Sequence, residues 1–259
     1  MLARALPLST VRRHLLVKDL KIFLRDVSQW SQLLLLLALV LLYLYNFSVL
    51  DLQRIPYMSG FLKNVYAFVN LGLAGFVMAT VAVRFVFPAV SSEGAAFWII
   101  RSAPISLRDF LWSKFWTGLL PVLVLTEGLT IAVNEFLGVD PFLKALAAIA
   151  IVLMSFAMVG LAVGLGARYP RFGADASQAA GSYGGVAFML QAVLFIVVII
   201  ALLGWPSSLY LFRQVRGLPP TPLQLLLMSG CFAGAIALSA GIWLMSMRAG
   251  VRALERMSD

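Results

Sequence analysis

Six long apolar runs constrain this chain more than any other feature. They lie at about Trp30–Leu50, Val65–Phe87, Trp116–Phe136, Ala145–Leu165, Gly184–Gly204 and Leu223–Met245. Each is close to the roughly 20 residues that a helix needs to cross a 30 Å hydrocarbon core. Hydrophobic residues make up 62% of the 259 positions and charged residues only 12%. A water-soluble fold would leave much of that apolar surface exposed, and a disordered chain needs the opposite composition. The expected fold is an all-α membrane protein with six transmembrane helices in residues 30–259.

The chain has 20 Lys and Arg against 11 Asp and Glu, a net charge of +9. Such a balance does not point to nucleic acid here, because its distribution follows the spans. Arg4, Arg12, Arg13, Lys18, Lys21, Arg25, Arg84, Arg101, Arg108, Lys114, Arg168, Arg171, Arg248, Arg252 and Arg256 fall on one side. Only Arg54, Lys63, Lys144, Arg213 and Arg216 fall on the other. Cytoplasmic loops hold the excess of Lys and Arg, so both termini are expected in the cytoplasm and the protein in the inner (plasma) membrane. The first apolar run begins too late, and lacks the cleavage pattern, for a removable signal peptide.

Residues 1–29 have a different pattern. Leu16, Leu20, Phe23 and Val27 share one helical face; His14, Lys18, Lys21 and Arg25 share the other. This spacing predicts an amphipathic interface helix with a cationic face. Simple anchoring and docking to a partner both fit it.

Enzyme chemistry is poorly supplied. There is no G-x-x-x-x-G-K-[ST] phosphate loop, so ATP is not expected to bind here in that way. His14 is the only histidine and lies outside the spans; no Asp falls inside one. Paired carboxylates, H-E-x-x-H and Cys/His metal spacings are missing, and the single Cys231 leaves no intramolecular disulfide. No cofactor and no catalytic residue is expected.

Glu127 is the costly exception to the apolar pattern, near the middle of the third span. Thr130 and Asn134 follow at i+3 and i+7, and Pro121 precedes it. A membrane-interior polar stripe of this kind lines a transport path or a subunit contact, or holds a protonated or hydrogen-bonded Glu packed between helices. Arg84 is near enough to a span end to snorkel. Gly160 with Gly164, and Gly230 with Gly234, form two G-x-x-x-G pairs that suit close helix packing within or between subunits.

The connection at 88–114 is too long for a turn. Ser91 or Ser92 is expected to cap a short helix with Glu93 in its first turn. Phe97, Trp98, Ile99 and Ile100 give it an apolar face, and Pro104 ends it. Ser106 is expected to cap a second helix that runs into the third span. Docking to a soluble partner and lying on the membrane surface both suit those aromatics.

Four blocks resemble one family. Ser92-Glu93-Gly94, Phe97-Trp98, Arg101-Ser102-Ala103-Pro104-Ile105-Ser106 and Ser113-Lys114-Phe115 are similar to the cytoplasmic loop of ATP-binding-cassette (ABC) exporter permeases of the type-2 class. Lys18-Asp19-Leu20-Lys21 with Arg25-Asp26 resembles the segment entering the first helix of that family's second half. Gly164–Phe172 and Gly181–Gly185 resemble its later loop and the start of its fifth helix. Ala95 departs from the pattern, where a basic residue is expected.

The resemblance implies that 88–114 is a coupling loop inserting into an ABC ATPase subunit, with Glu93, Gly94, Phe97, Trp98, Arg101 and Pro104 at the contact. It implies ATP on that partner, a second permease half, and short broken helices in 205–222. The rival reading is a stand-alone proton-coupled secondary transporter using Glu127.

Overall fold

A computed structural model describes residues 60–102, 105–173, 176–215 and 221–257, together with Lys18, Lys21, Leu34, Leu37, Ala38, Val40, Leu41, Leu42 and Tyr45. Every described residue of the 34–45 stretch is helical, but the bounds of the first expected span lie outside the described residues. The division at residue 29 and Arg25 lie outside them too. Among the described residues five helices are long and apolar enough to cross a membrane, and no strand occurs.

The second expected span begins as α1, Gly60–Val81. It continues as a π-helical segment, Ala82–Val86, and a 3-10 turn, Phe87–Ala89. Pro88 explains the change of winding: it lacks an N–H, and its ring clashes with the carbonyl four residues back. A second 3-10 segment, Ser91–Ala96, leads to the short α2, Phe97–Ser102. Helix α3 spans Leu107–Leu137, and Ser106 caps it by accepting the Asp109 N–H at 3.0 Å. It runs unbroken into the third span, as expected, and continues through Pro121.

Asp140 caps α4, Pro141–Arg168, by accepting the Phe142 N–H at 3.0 Å. A short α5, Ala176–Ala180, precedes α6, Tyr183–Val215. The last helix, α7, covers Pro222–Arg256; Gln224 closes its first turn by accepting the Thr221 N–H at 3.3 Å.

Two local expectations are corrected. Residues 205–215 are not broken: α6 continues through Trp205-Pro206. Pro206 removes only the N–H that would meet the Leu202 carbonyl, and the Ser207 and Ser208 hydroxyls donate to the carbonyls of Leu203 and Trp205 within the same turn. Neither Ser91 nor Ser92 caps a helix: the Ser92 hydroxyl donates back to the Ala89 carbonyl.

Helix α4 is the centre of the bundle. Every residue from 157 to 167 is buried. Its G-x-x-x-G pair faces α7: a methyl on Gly160 would meet Trp243, and one on Gly164 would run into the Ser246 backbone. Gly250 in turn sits against Gly164. Glycine is needed there because the two backbones nearly touch. The second pair is different. Among the described residues nothing lies within 4 Å of a methyl built on Gly230 or Gly241, and a methyl on Gly234 only brushes Leu202.

The helices alternate in direction, so one end of the bundle gathers the 82–114 connection, the end of α4, the start of α6 and the end of α7. Val86 packs on Gly118, and Phe87 touches the Gly166 and Gly184 positions.

Candidate functional site

The chain folds back sharply after α1, and Gly94 makes the reversal with φ 52° and ψ −134°. Side chains other than glycine's rarely enter that region. The turn places the Glu93 carboxylate between two cations. Lys18 Nζ donates to Oε1 and Oε2, both at 2.8 Å. Lys114 Nζ, from the second turn of α3, donates to Oε1. The side chains of Glu93 and Lys114 are only 8% and 6% exposed, whereas Lys18 is 37% exposed. Lys114 also lies 5.5 Å above the Phe110 ring.

A buried charge is tolerated where it is paired and hydrogen-bonded. The Glu93–Lys114 contact meets that condition, and Lys18 adds an arm open to solvent. Three segments far apart in sequence therefore meet at one carboxylate. In the sequence Lys114 is a positive charge and part of a resembling block, with no pairing role. Its signal was its setting, a lysine within the aromatic run Phe110–Trp116.

A second tie joins the connection to the segment after α4. The Ser91 hydroxyl accepts the Arg171 N–H at 3.0 Å. The Phe97 and Phe172 rings stack at 4.7 Å and 22°. Phe97 also meets Phe110 of α3 at 6.0 Å. Thus α2 has one face held down by Phe97 and Ile100, both buried, and another that presents Trp98 and Ile99, exposed by 66% and 52%.

Glu93, Gly94, Phe97, Trp98 and Lys18 are thus brought to one end of the bundle. Arg101 lies in α2, and Pro104 lies outside the described residues. Lys21 is helical and exposed.

The interior stripe is a separate place. Glu127 is thirteen residues beyond Lys114 on α3, about 20 Å along the axis at 1.5 Å per residue. Thr130 and Asn134 are buried and Glu127 is half-buried. Glu135, near the end of α3, instead pairs with Lys144 of α4 at 2.8 Å. Among the described residues no His, Cys, Asp or Glu cluster could hold a metal ion.

Several apolar helices of membrane-crossing length, joined at one end by a paired charge cluster and an exposed aromatic helix, define a multi-pass helical membrane protein. Residues 1–258 match the family described as "Putative ATP-binding cassette", and the chain belongs to that family. No curated protein and no solved structure matched the chain.

Proposed function

We propose that the chain is the membrane-spanning permease subunit of an ABC-type exporter, driven by ATP hydrolysis on a separate ATPase subunit. Family membership supports the transporter class. The sequence has no phosphate loop, which favours the permease over the ATPase role and a transport subunit over an enzyme.

The observation that carries the reading is the braced aromatic helix. Trp98 and Ile99 project from α2, while Phe97, Ile100 and the Glu93–Lys114–Lys18 cluster hold its base. An exposed aromatic helix on a rigid base suits docking to a soluble partner, because a push on it passes to the elements it is tied to. Closure of the ATPase dimer would press on α2. Glu93 would pass that motion to α3 through Lys114 and to the N-terminal helix through Lys18. Phe172 and Arg171 would carry it to the end of α4.

The charge distribution supports a cytoplasmic position for this end and for both termini, in the plasma (inner) membrane. The exposed Gly230, Ala233 and Ala237 on α7 favour a second permease half, as homodimer or heterodimer.

The test is co-purification from the native membrane with and without a Trp98→Ala substitution. The reading expects an ATPase subunit with the wild type and its loss with the variant. A chain that purifies without any ATPase would overturn it. A second reading, proton-coupled transport through Glu127, is favoured by the lack of a hydrogen-bond partner for its Oε2. It expects transport that follows the proton gradient with no ATPase present.

A further inference from the structure

Glu127, Thr130 and Asn134 recur at i, i+3 and i+7, so they share one face of α3. Glu127 Oε2, Thr130 Oγ1 and Asn134 Oδ1 are all enclosed, and none has a hydrogen-bond partner among the described residues. All three atoms can accept, and the Thr130 hydroxyl can also donate. An unpaired buried acceptor costs free energy, and in hydrocarbon there is no water to relieve it. A chain that places three along one stripe leaves room for a donor from elsewhere.

The source of that donor is narrowed by burial. Thr130 and Asn134 are 1% and 2% exposed within this chain alone. Its own helices enclose them, so any donor, from a second subunit or from a guest, reaches them only when those helices part. A guest moving between the helices would meet Glu127 first, because Glu127 is half-exposed.

Charge narrows the guest further. The cations on the packed helices sit at the helix ends. Arg84, Arg168, Arg248 and Arg252 lie at the Lys114 end; Lys63 and Lys144 lie at the other, and Lys144 is paired with Glu135. None of these forms an ion pair with Glu127, so among the described residues a cationic guest meets no competing positive charge there.

We infer that the α3 stripe selects the exported molecule, and that it takes an apolar body bearing a protonated amine. The ammonium supplies the missing charge to Glu127 and N–H donors to Thr130 and Asn134 in turn. This rests on the permease reading, which it deepens by naming a substrate class.

The test uses the full chain in phosphatidylcholine nanodiscs with radiolabelled dodecylamine, and empty discs as the blank. Dodecanol and dodecanoate, with the same tail, serve as competitors. Saturable binding above the blank is expected, displaced by unlabelled amine but not by the alcohol or the carboxylate. Glu127→Gln is expected to weaken binding at least tenfold, and Thr130→Val and Asn134→Leu severalfold. Glu127→Asp, which keeps the charge, is expected to retain the amine preference and controls for folding. Equal displacement by all three compounds, absence of saturable binding, or unchanged binding in folded Glu127→Gln would overturn the inference. The assay needs no ATPase. Lost amine selectivity in a chain that still captures an ATPase sinks this inference alone, whereas intact selectivity without any ATPase sinks the exporter reading instead.

Discussion

Replacing Lys114 with methionine removes the buried cation that Glu93 touches. Breaking a buried ion pair typically costs about 3–5 kcal/mol, because the remaining charge is stranded. Here Lys18 stays at 2.8 Å from both carboxylate oxygens and recovers part of that cost, so about 2–3 kcal/mol is expected. Lys18→Met removes an arm that is 37% exposed, and solvent-screened pairs are worth at most about 1 kcal/mol. Glu93→Gln strands the Lys114 ammonium and is expected to cost about 3 kcal/mol. For a chain of this size, 1 kcal/mol shifts the melting temperature by roughly 2–4 °C. Melting in detergent should therefore fall by roughly 4–12 °C for Lys114→Met, and by no more than about 4 °C for Lys18→Met. Glu93→Leu combined with Lys114→Met should recover stability relative to either single change, since a matched apolar pair strands no charge. Equal losses for Lys18→Met and Lys114→Met, or no change in Glu93→Gln, would refute the assignment of the buried pair as the structural half of the cluster.

The two G-x-x-x-G pairs should separate cleanly. Gly164→Ala forces a methyl into the Ser246 backbone and is expected to destabilise the chain by at least ~2 kcal/mol, read as a lower melting temperature. Gly230→Ala meets nothing in this chain and should leave its melting within about 0.5 kcal/mol, while weakening cross-linking to a second half. On α2, Phe97→Ala should cost about 3 kcal/mol by opening a cavity beside Phe172 and Phe110. Trp98→Ala, one residue on but exposed, should leave melting unchanged and reduce ATPase-stimulated transport.

The sequence carried the architecture further than the site. Apolar run length located the five described spans, because lipid demands a helix of fixed length with no exposed backbone. Ser106 announced the start of α3 through the Asp109 N–H that it accepts. Pro206 misled, because Pro206 and Ser207 are buried in the bundle, and packing of that kind overrides the local cost of one missing helical N–H. The two serines after Val90 misled for a related reason: Ser91 spends its hydroxyl on Arg171, a contact eighty residues distant. Glu93 is expected in the first turn of the loop helix and Lys18 on the cationic face of the N-terminal helix, but nothing in the sequence pairs them. Lys18 and Lys114 meet Glu93 only through the turn at Gly94 and the packing of α3, and no local pattern encodes that meeting. The open face of α7 was likewise invisible, since its spacing matches that of the buried pair in α4.

The central claim is that α2 meets an ATPase. A photo-cross-linking side chain at Trp98, exposed on α2, tests it against the same group at Val124, exposed on α3. The account predicts that the Trp98 position captures a subunit bearing a phosphate loop, that ATP changes the yield, and that Val124 captures no such subunit. Capture of lipid alone at Trp98, or equal capture at both positions, would contradict it.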